Sequence, residues 1–203
     1  MCWAIVAVEA VAAGFSIICK QDLPELSSQE LLDCCMEEDT LCYTFSLKKA
    51  FNYIEANGVR MESEYPFVGT KCCCRPKNEQ EKLGSIRIRE LITIDPTNET
   101  QILKAVKQQP VAGGVLMTQE FSDLKGGIYE GSENYLRCEK GRIGKHAVLI
   151  VGFGYDEKYK KYYWIIKNSY GKGWGVNGYG QIARTCVLPN KKPLIFATCY
   201  PVF

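Results

Sequence analysis

The apolar residues of this chain change their spacing once, near Pro110, and that change limits the folds open to it. Upstream the spacing is helical. Leu47, Ala50, Phe51 and Ile54 stand at i, i+3, i+4 and i+7, before a stop at Asn57-Gly58, and such residues share one helix face. The sequence predicts helices at 3–19, 27–36, 46–57 and 99–109, the last opened by capping residues Thr97 and Asn98 and ending before Pro110. Downstream, short apolar or alternating runs punctuated by Gly and turn residues predict strands at 111–117, 146–155, 161–167, 178–183 and 194–200. Helices come first and strands second, without βαβ alternation, which is an α+β pattern. We expect a helical lobe at 1–88 and a β-rich lobe at 89–203, joined after the polar stretch from Pro76 to Lys82.

Residues 2–19 read CWAIVAVEAVAAGFSIIC. No positive segment precedes this run, and Glu9 at its centre would be costly in lipid. We read it as a buried amphipathic helix with Glu9 at a polar rim, not a membrane span or a signal peptide. The next helix opens at Ser27, and Glu30 three residues later completes a capping-box pattern. The chain thus starts inside a helix with no cap upstream, and we expect that it lacks its natural beginning.

Charge sets the function classes that remain. Twenty-five Lys and Arg balance 23 Asp and Glu, so no basic excess argues for nucleic acid. Lys158, Lys160 and Lys161 gather among Asp156, Glu157 and tyrosines, as in a solvated hairpin. Eleven cysteines and one histidine matter more. So many cysteines suggest an oxidising compartment, and their odd number leaves at least one thiol without an intrachain partner. Asn98-Glu99-Thr100 is an N-glycosylation sequon and makes Asn98 a candidate. A single His rules out a His-ligated metal cluster. Cys34, Cys35 and Cys42, with Cys72, Cys73 and Cys74, lack zinc-site spacing, and disulfides are the better reading.

What remains for chemistry is Cys, His and Asn. A thiol attacks a carbonyl as thiolate, which a helix amino terminus or an imidazolium favours. Cys2 opens the first helix; His146 stands 144 residues later on a predicted strand; Asn168 follows another strand. An Asn amide oxygen can accept the second imidazole N–H and fix the ring. Each residue alone has a plain packing role; the combination carries the case.

With these residues the sequence resembles the papain-like cysteine peptidases, especially the plant branch, over almost its whole length. Cys2-Trp3-Ala4 resembles the nucleophile segment, and the run from Leu26 to Cys34 the segment after the long first helix. Glu64-Tyr65-Pro66-Phe67-Val68-Gly69, Gln109-Pro110-Val111 and Gly126-Gly127-Ile128-Tyr129 follow in family order. Lys145-His146-Ala147-Val148 and Asn168-Ser169-Tyr170-Gly171 resemble the His strand and the Asn loop. The resemblance implies a two-lobed fold with the site in the cleft, Cys2 as nucleophile, His146 as base and acid, Asn168 as its orienter, and no metal or organic cofactor. It implies protein or peptide substrates, cystatin-like inhibitors as partners, no nucleic acid and no membrane, and a vacuolar, lysosomal or secreted location, although no signal peptide is seen. It also implies a Cys34–Cys74 bridge and a partner for Cys138, for which Cys186 or Cys199 would have to serve. Leu47, Gly144 and Ala147 match positions lining the pocket for the second residue before the scissile bond, and Trp174 a cleft aromatic.

Departures from the family temper these expectations. The Gln that donates into the oxyanion hole is absent, and losing one such donor costs about 10²–10³ in rate. The first strand of the β-lobe is missing too. Leu41-Cys42-Tyr43-Thr44-Phe45 replaces a Gly-Gly wall, with Phe45 expected to block the cleft. Lys145 stands where Asp or Asn is usual and should weaken the positive charge on His146. Tyr170 replaces Trp. The function expected is a cysteine endopeptidase impaired in this truncated chain; the alternative is a catalytically inactive homologue serving as a storage or binding protein.

Overall fold

The computed structural model describes residues 1–35, 47–137, 141–184 and 193–203, and within them the amino-terminal apolar run folds as α1 (Cys2–Cys19). The chain divides into two compact units, Met1–Ile92 with Tyr200–Phe203, and Thr93–Cys199.

In the first unit, α1 departs from the one-sided stripe expected of it. Trp3, Val6, Ala7, Val8, Ala10 and Val11 are all buried, so the first three turns are enclosed nearly all round. Small residues allow this, because Ala and Gly let neighbours approach on several sides, and α1 packs against the two helices that follow. Only its last turn emerges, with Ile17 and Ile18 about half exposed. The left-handed Lys20 ends the helix.

The next helix, α2 (Ser28–Cys34), is capped by Ser27, whose hydroxyl accepts the Glu30 N–H at 3.0 Å. The expected capping box is only half made. The Ser27 N–H goes to the Arg60 carbonyl, and the Glu30 carboxylate turns inward to accept the Arg60 N–H at 2.7 Å and to pair with Lys77. Gln29 and Asp33, on the same helix, bind the loop after Tyr65. Gln29 Oε1 accepts from Val68 and Gly69, Asp33 Oδ1 accepts from Cys72, and the Tyr65 hydroxyl donates to Asp33 Oδ2. The Cys34–Cys74 disulfide closes the same region. Helix α3 (Leu47–Asn57) buries Ala50, Phe51 and Ile54, the face its spacing predicted. It ends at Gly58, whose left-handed φ of +69° lets its N–H reach the Ile54 carbonyl. The polar stretch read as a linker contains a short helix, α4 (Glu79–Gly84), with a complete capping box between Asn78 and Glu81.

The strands form one sheet in the order β1-β7-β2-β4-β5-β6-β3. They are β1 (Glu90–Ile94), β2 (Val111–Leu116), β3 (Ile128–Tyr129), β4 (Lys145–Asp156), β5 (Lys161–Lys167), β6 (Tyr179–Ala183) and β7 (Ile195–Val202). Strand β2 runs antiparallel to β4 and β7, and β5 antiparallel to β4 and β6, while β3 is parallel to β6. Strand β1 is additional to the predicted strands, and its five residues follow directly on the join expected between residues 88 and 89. Helix α5 (Glu99–Val106), capped by the Asn98 side chain, stops three residues before the predicted end. The N–H groups of Gln108 and Gln109 both turn to the Ala105 carbonyl. A one-turn helix, α6 (Gln119–Ser122), capped by Thr118, follows β2. Val148, Ile150, Ile166 and Ile182 form the buried centre of the sheet.

Candidate active site

The hairpin of β4 and β5 brings His146 and Asn168 together. His146 is the second residue of β4, and Asn168 follows the last residue of β5. Both are buried, and His146 Nε2 lies 2.7 Å from Asn168 Oδ1. The amide is oriented by its neighbours. The Asn168 N–H donates to the Gly178 carbonyl at 3.0 Å, and Oδ1 also accepts the Ser169 N–H at 2.7 Å. Because Oδ1 is an acceptor only, the imidazole proton belongs on Nε2. Nδ1 of the neutral ring then carries the lone pair, so it is the nitrogen able to take a proton.

Aromatic rings enclose this pair. Tyr170 lies over His146 with centroids 4.7 Å apart at 42°, and Phe121 approaches to 6.0 Å. Trp174 packs on Phe121 at 5.3 Å, and its indole N–H donates to the Phe121 carbonyl at 2.9 Å. Thr118 fixes Phe121 by accepting its N–H at 3.1 Å, and the Thr118 and Tyr129 hydroxyls are hydrogen-bonded at 2.8 Å. Sequence reading did not single out Phe121 or Thr118. The signal was there in a weak form, because a Thr immediately before a short turn, three residues ahead of Phe121, is a helix-cap pattern. The loop after Asn168 turns on Gly175, where φ is +57° and a Cβ would lie 2.1 Å from the Tyr179 carbonyl oxygen.

The other predicted positions are distributed as follows. Cys2 is the first residue of α1, in the first unit, and half-buried. Leu47, also in that unit, begins α3 and is half-buried. Gly144 precedes β4, with its N–H on the Leu136 carbonyl and its own carbonyl accepting the Met117 N–H, both at 2.8 Å. Ala147 is buried and pairs with Gly114 of β2. Lys145 does not face His146. Adjacent strand residues point to opposite faces, and the Lys145 ammonium sits 5.4 Å over the Phe196 ring while His146 is buried. Asn98 caps α5 by accepting the Gln101 N–H at 3.1 Å. Cys42, Cys138 and Cys186, and the stretch Leu41-Cys42-Tyr43-Thr44-Phe45, lie outside the described residues. Cys199 is a buried thiol rather than a disulfide partner, which removes it as a mate for Cys138. Burial pushes its pKa up to about 12, and burial with the nearby Glu30 charge does the same for Cys35. Cys19, Cys72 and Cys73 are exposed thiols.

The family profile described as papain family cysteine protease matches residues 1–193. The chain belongs to the papain family of cysteine proteases. Among relatives of this papain-family chain, papaya proteinase 4 of Carica papaya is 35% identical over 184 residues, which cover 90% of the chain and 49% of the relative. Ananain of Ananas comosus is 32% identical with the same coverage. The chain spans about half the length of the curated relatives it matches. A Carica candamarcensis cysteine protease solved in complex with E-64 superposes with a TM-score of 0.79 at 30% identity, over 99% of this chain and 87% of that one. The bromelain protease of Ananas comosus, also with E-64, gives 0.80 at 28% identity over 100% and 88%. The fold is the α+β fold of this family, and plant members are among the kin shown.

Proposed function

We propose that the chain is a cysteine endopeptidase in which Cys2, His146 and Asn168 act together. The observation that carries this reading is the buried His146–Asn168 hydrogen bond, which directs Nδ1 of the ring to proton transfer. Cys2 at the first turn of α1 sits where the helix macrodipole favours an anion. Nδ1 of His146 takes the thiol proton, the thiolate attacks the peptide carbonyl, and the imidazolium returns the proton to the leaving amine. An acyl-thioester is left on Cys2, and water, deprotonated by the same nitrogen, releases the acid. The Asn168 oxygen holds the ring's second N–H throughout.

The helical 1–88 and β-rich 89–203 segments are proposed as the two lobes of the enzyme. Leu47, Gly144 and Ala147 are proposed to line an apolar substrate pocket, with Trp174 on the leaving-group side. Protein or peptide substrates, inhibitors of the cystatin kind, a vacuolar, lysosomal or secreted setting and a glycan on Asn98 complete the proposal. The Cys34–Cys74 disulfide supports the oxidising setting.

The rate of iodoacetamide alkylation at pH 6, mapped by mass spectrometry, tests the assignment. Cys2 should react at least about tenfold faster than exposed Cys19, Cys72 and Cys73, since an ordinary thiol is almost fully protonated there. His146→Ala should abolish the difference. If Cys2 reacts no faster than the exposed thiols and ignores His146→Ala, the chain is an inactive homologue with a storage or binding role.

A further inference from the structure

We propose that Met117 is a positioning residue for His146, acting through the hydroxyl of Tyr170; this rests on the reading of His146 as the catalytic base. Asn168 holds the imidazole at one atom, Nε2. One hydrogen bond is a pivot, and the ring can still swing about it. Tyr170 covers its face with centroids 4.7 Å apart. Tyr170 is 41% exposed and meets the Trp174 ring edge-on at 6.5 Å. Its outer end is tethered as well: the Tyr170 hydroxyl donates to Met117 Sδ at 3.4 Å.

Met117 is itself anchored. Its N–H donates to the Gly144 carbonyl at 2.8 Å, and its carbonyl accepts the Leu136 N–H at 2.9 Å. Gly144 lies two residues before His146, so the anchor and the imidazole hang from the same stretch of backbone. A Cβ at position 144 would come within 3.2 Å of Met117 Cβ, and glycine there leaves the methionine its room. The links close a circuit that runs from Gly144 through Met117 and Tyr170 to His146 and back along the chain. A thioether suits the task because it is a neutral acceptor. It steadies the phenol without placing a charge beside a ring that must change its own.

The single histidine of the chain is its own reporter. The ring resonances of His146 are unambiguous by NMR, and solvent exchange of its Nε2 proton reads the shielding with no substrate present. Tyr170→Phe removes only the hydroxyl, and Met117→Leu only the acceptor; norleucine at 117 gives the same loss with the original shape if leucine impairs folding. Each single change should speed Nε2-proton exchange about two- to tenfold, the value of one ordinary hydrogen bond. The double variant should show no more than either single one. Unchanged exchange in the single variants, or a double effect equal to their product, overturns the proposal. If exchange behaves as expected and the chain cleaves no peptide, the positioning stands and the endopeptidase reading alone fails. In an active chain the same variants lower kcat and leave KM unchanged.

Discussion

Replacing Glu30 by glutamine should lower the melting temperature by roughly 6–12 °C. Glu30 is fully buried, its partner Arg60 is 1% exposed, and the side chain of its second partner Lys77 is 7% exposed. Its carboxylate accepts the Arg60 N–H at 2.7 Å, approaches Arg60 Nε at 3.4 Å, takes a hydrogen bond from the Tyr53 hydroxyl at 3.2 Å and pairs with Lys77. Glutamine preserves the volume and one acceptor but deletes the charge, and removing one partner of a buried ion pair costs about 3–5 kcal/mol. Here the cations keep other ligands. Arg60 retains Glu81 at 3.2 Å and the Arg75 carbonyl at 2.7 Å, and Lys77 the Gly58 carbonyl at 2.9 Å. The lower end, about 3 kcal/mol, is therefore expected. At about 2–4 °C per kcal/mol for a chain of this length, the shift follows. Calorimetry at pH 7 measures it, and adding Lys77→Met should recover part of the loss by removing one stranded cation. A fall of less than about 2 °C would refute the claim that this carboxylate neutralises buried charge.

The Cys34–Cys74 bridge spans a sequence separation of 40, so Cys34→Ser with Cys74→Ser should cost about 4 kcal/mol by loop-closure entropy, read from urea unfolding. Cys35 and Cys199 have folded-state pKa values near 12 against a usual 9.0, so the folded state holds their protons more tightly. Their contribution to stability is complete below about pH 9 and is lost as pH rises toward 12. The urea midpoint should fall over that window, and Cys199→Ala should flatten the fall; a midpoint constant to pH 11 would contradict this. Gly180→Ala would put a Cβ 2.5 Å from the Trp174 ring. Displacing the indole should cost about 1–3 kcal/mol and shift the His146 ring resonances through Phe121 and Tyr170, which both touch it. Unmoved resonances would show that neither ring carries the disturbance.

Local pattern made some of this architecture legible. The buried face of α3 and the hairpin strands follow from spacing alone, because each element's period matches the face it buries. Ser27 was legible as a cap. The destination of Glu30 was not, since Arg60 and Lys77, which outbid the Ser27 N–H for its carboxylate, lie 30 and 47 residues away. The near-total enclosure of α1 was hidden because alanines serve buried and half-buried faces alike. Strand order was equally out of reach, as nothing local places β7 between β1 and β2. The His146–Asn168 pair was foreseen from residue type and family order. The electrostatic role foreseen for Lys145 missed strand alternation, which turns the ammonium toward Phe196. The rings around His146 were half seen: Tyr170 and Trp174 stand in the motif, whereas Phe121 arrives from a different turn.

The β4–β5 hairpin also has a directional consequence. His146 and Asn168 stand at its open end, while its turn closes at Asp156 and Lys161. The paired ladder from Leu149 to Asp156 separates the two ends by roughly 23 Å at 3.3 Å per residue. Asp156 Oδ1 secures that turn by accepting the N–H groups of Lys158 and Tyr159. Distance along the ribbon thus insulates the imidazole from events at the tip. A lengthened loop or an inserted tag at 157–160 meets a self-contained turn, leaving evolution and the protein engineer a free end on a strand pair whose other end is committed.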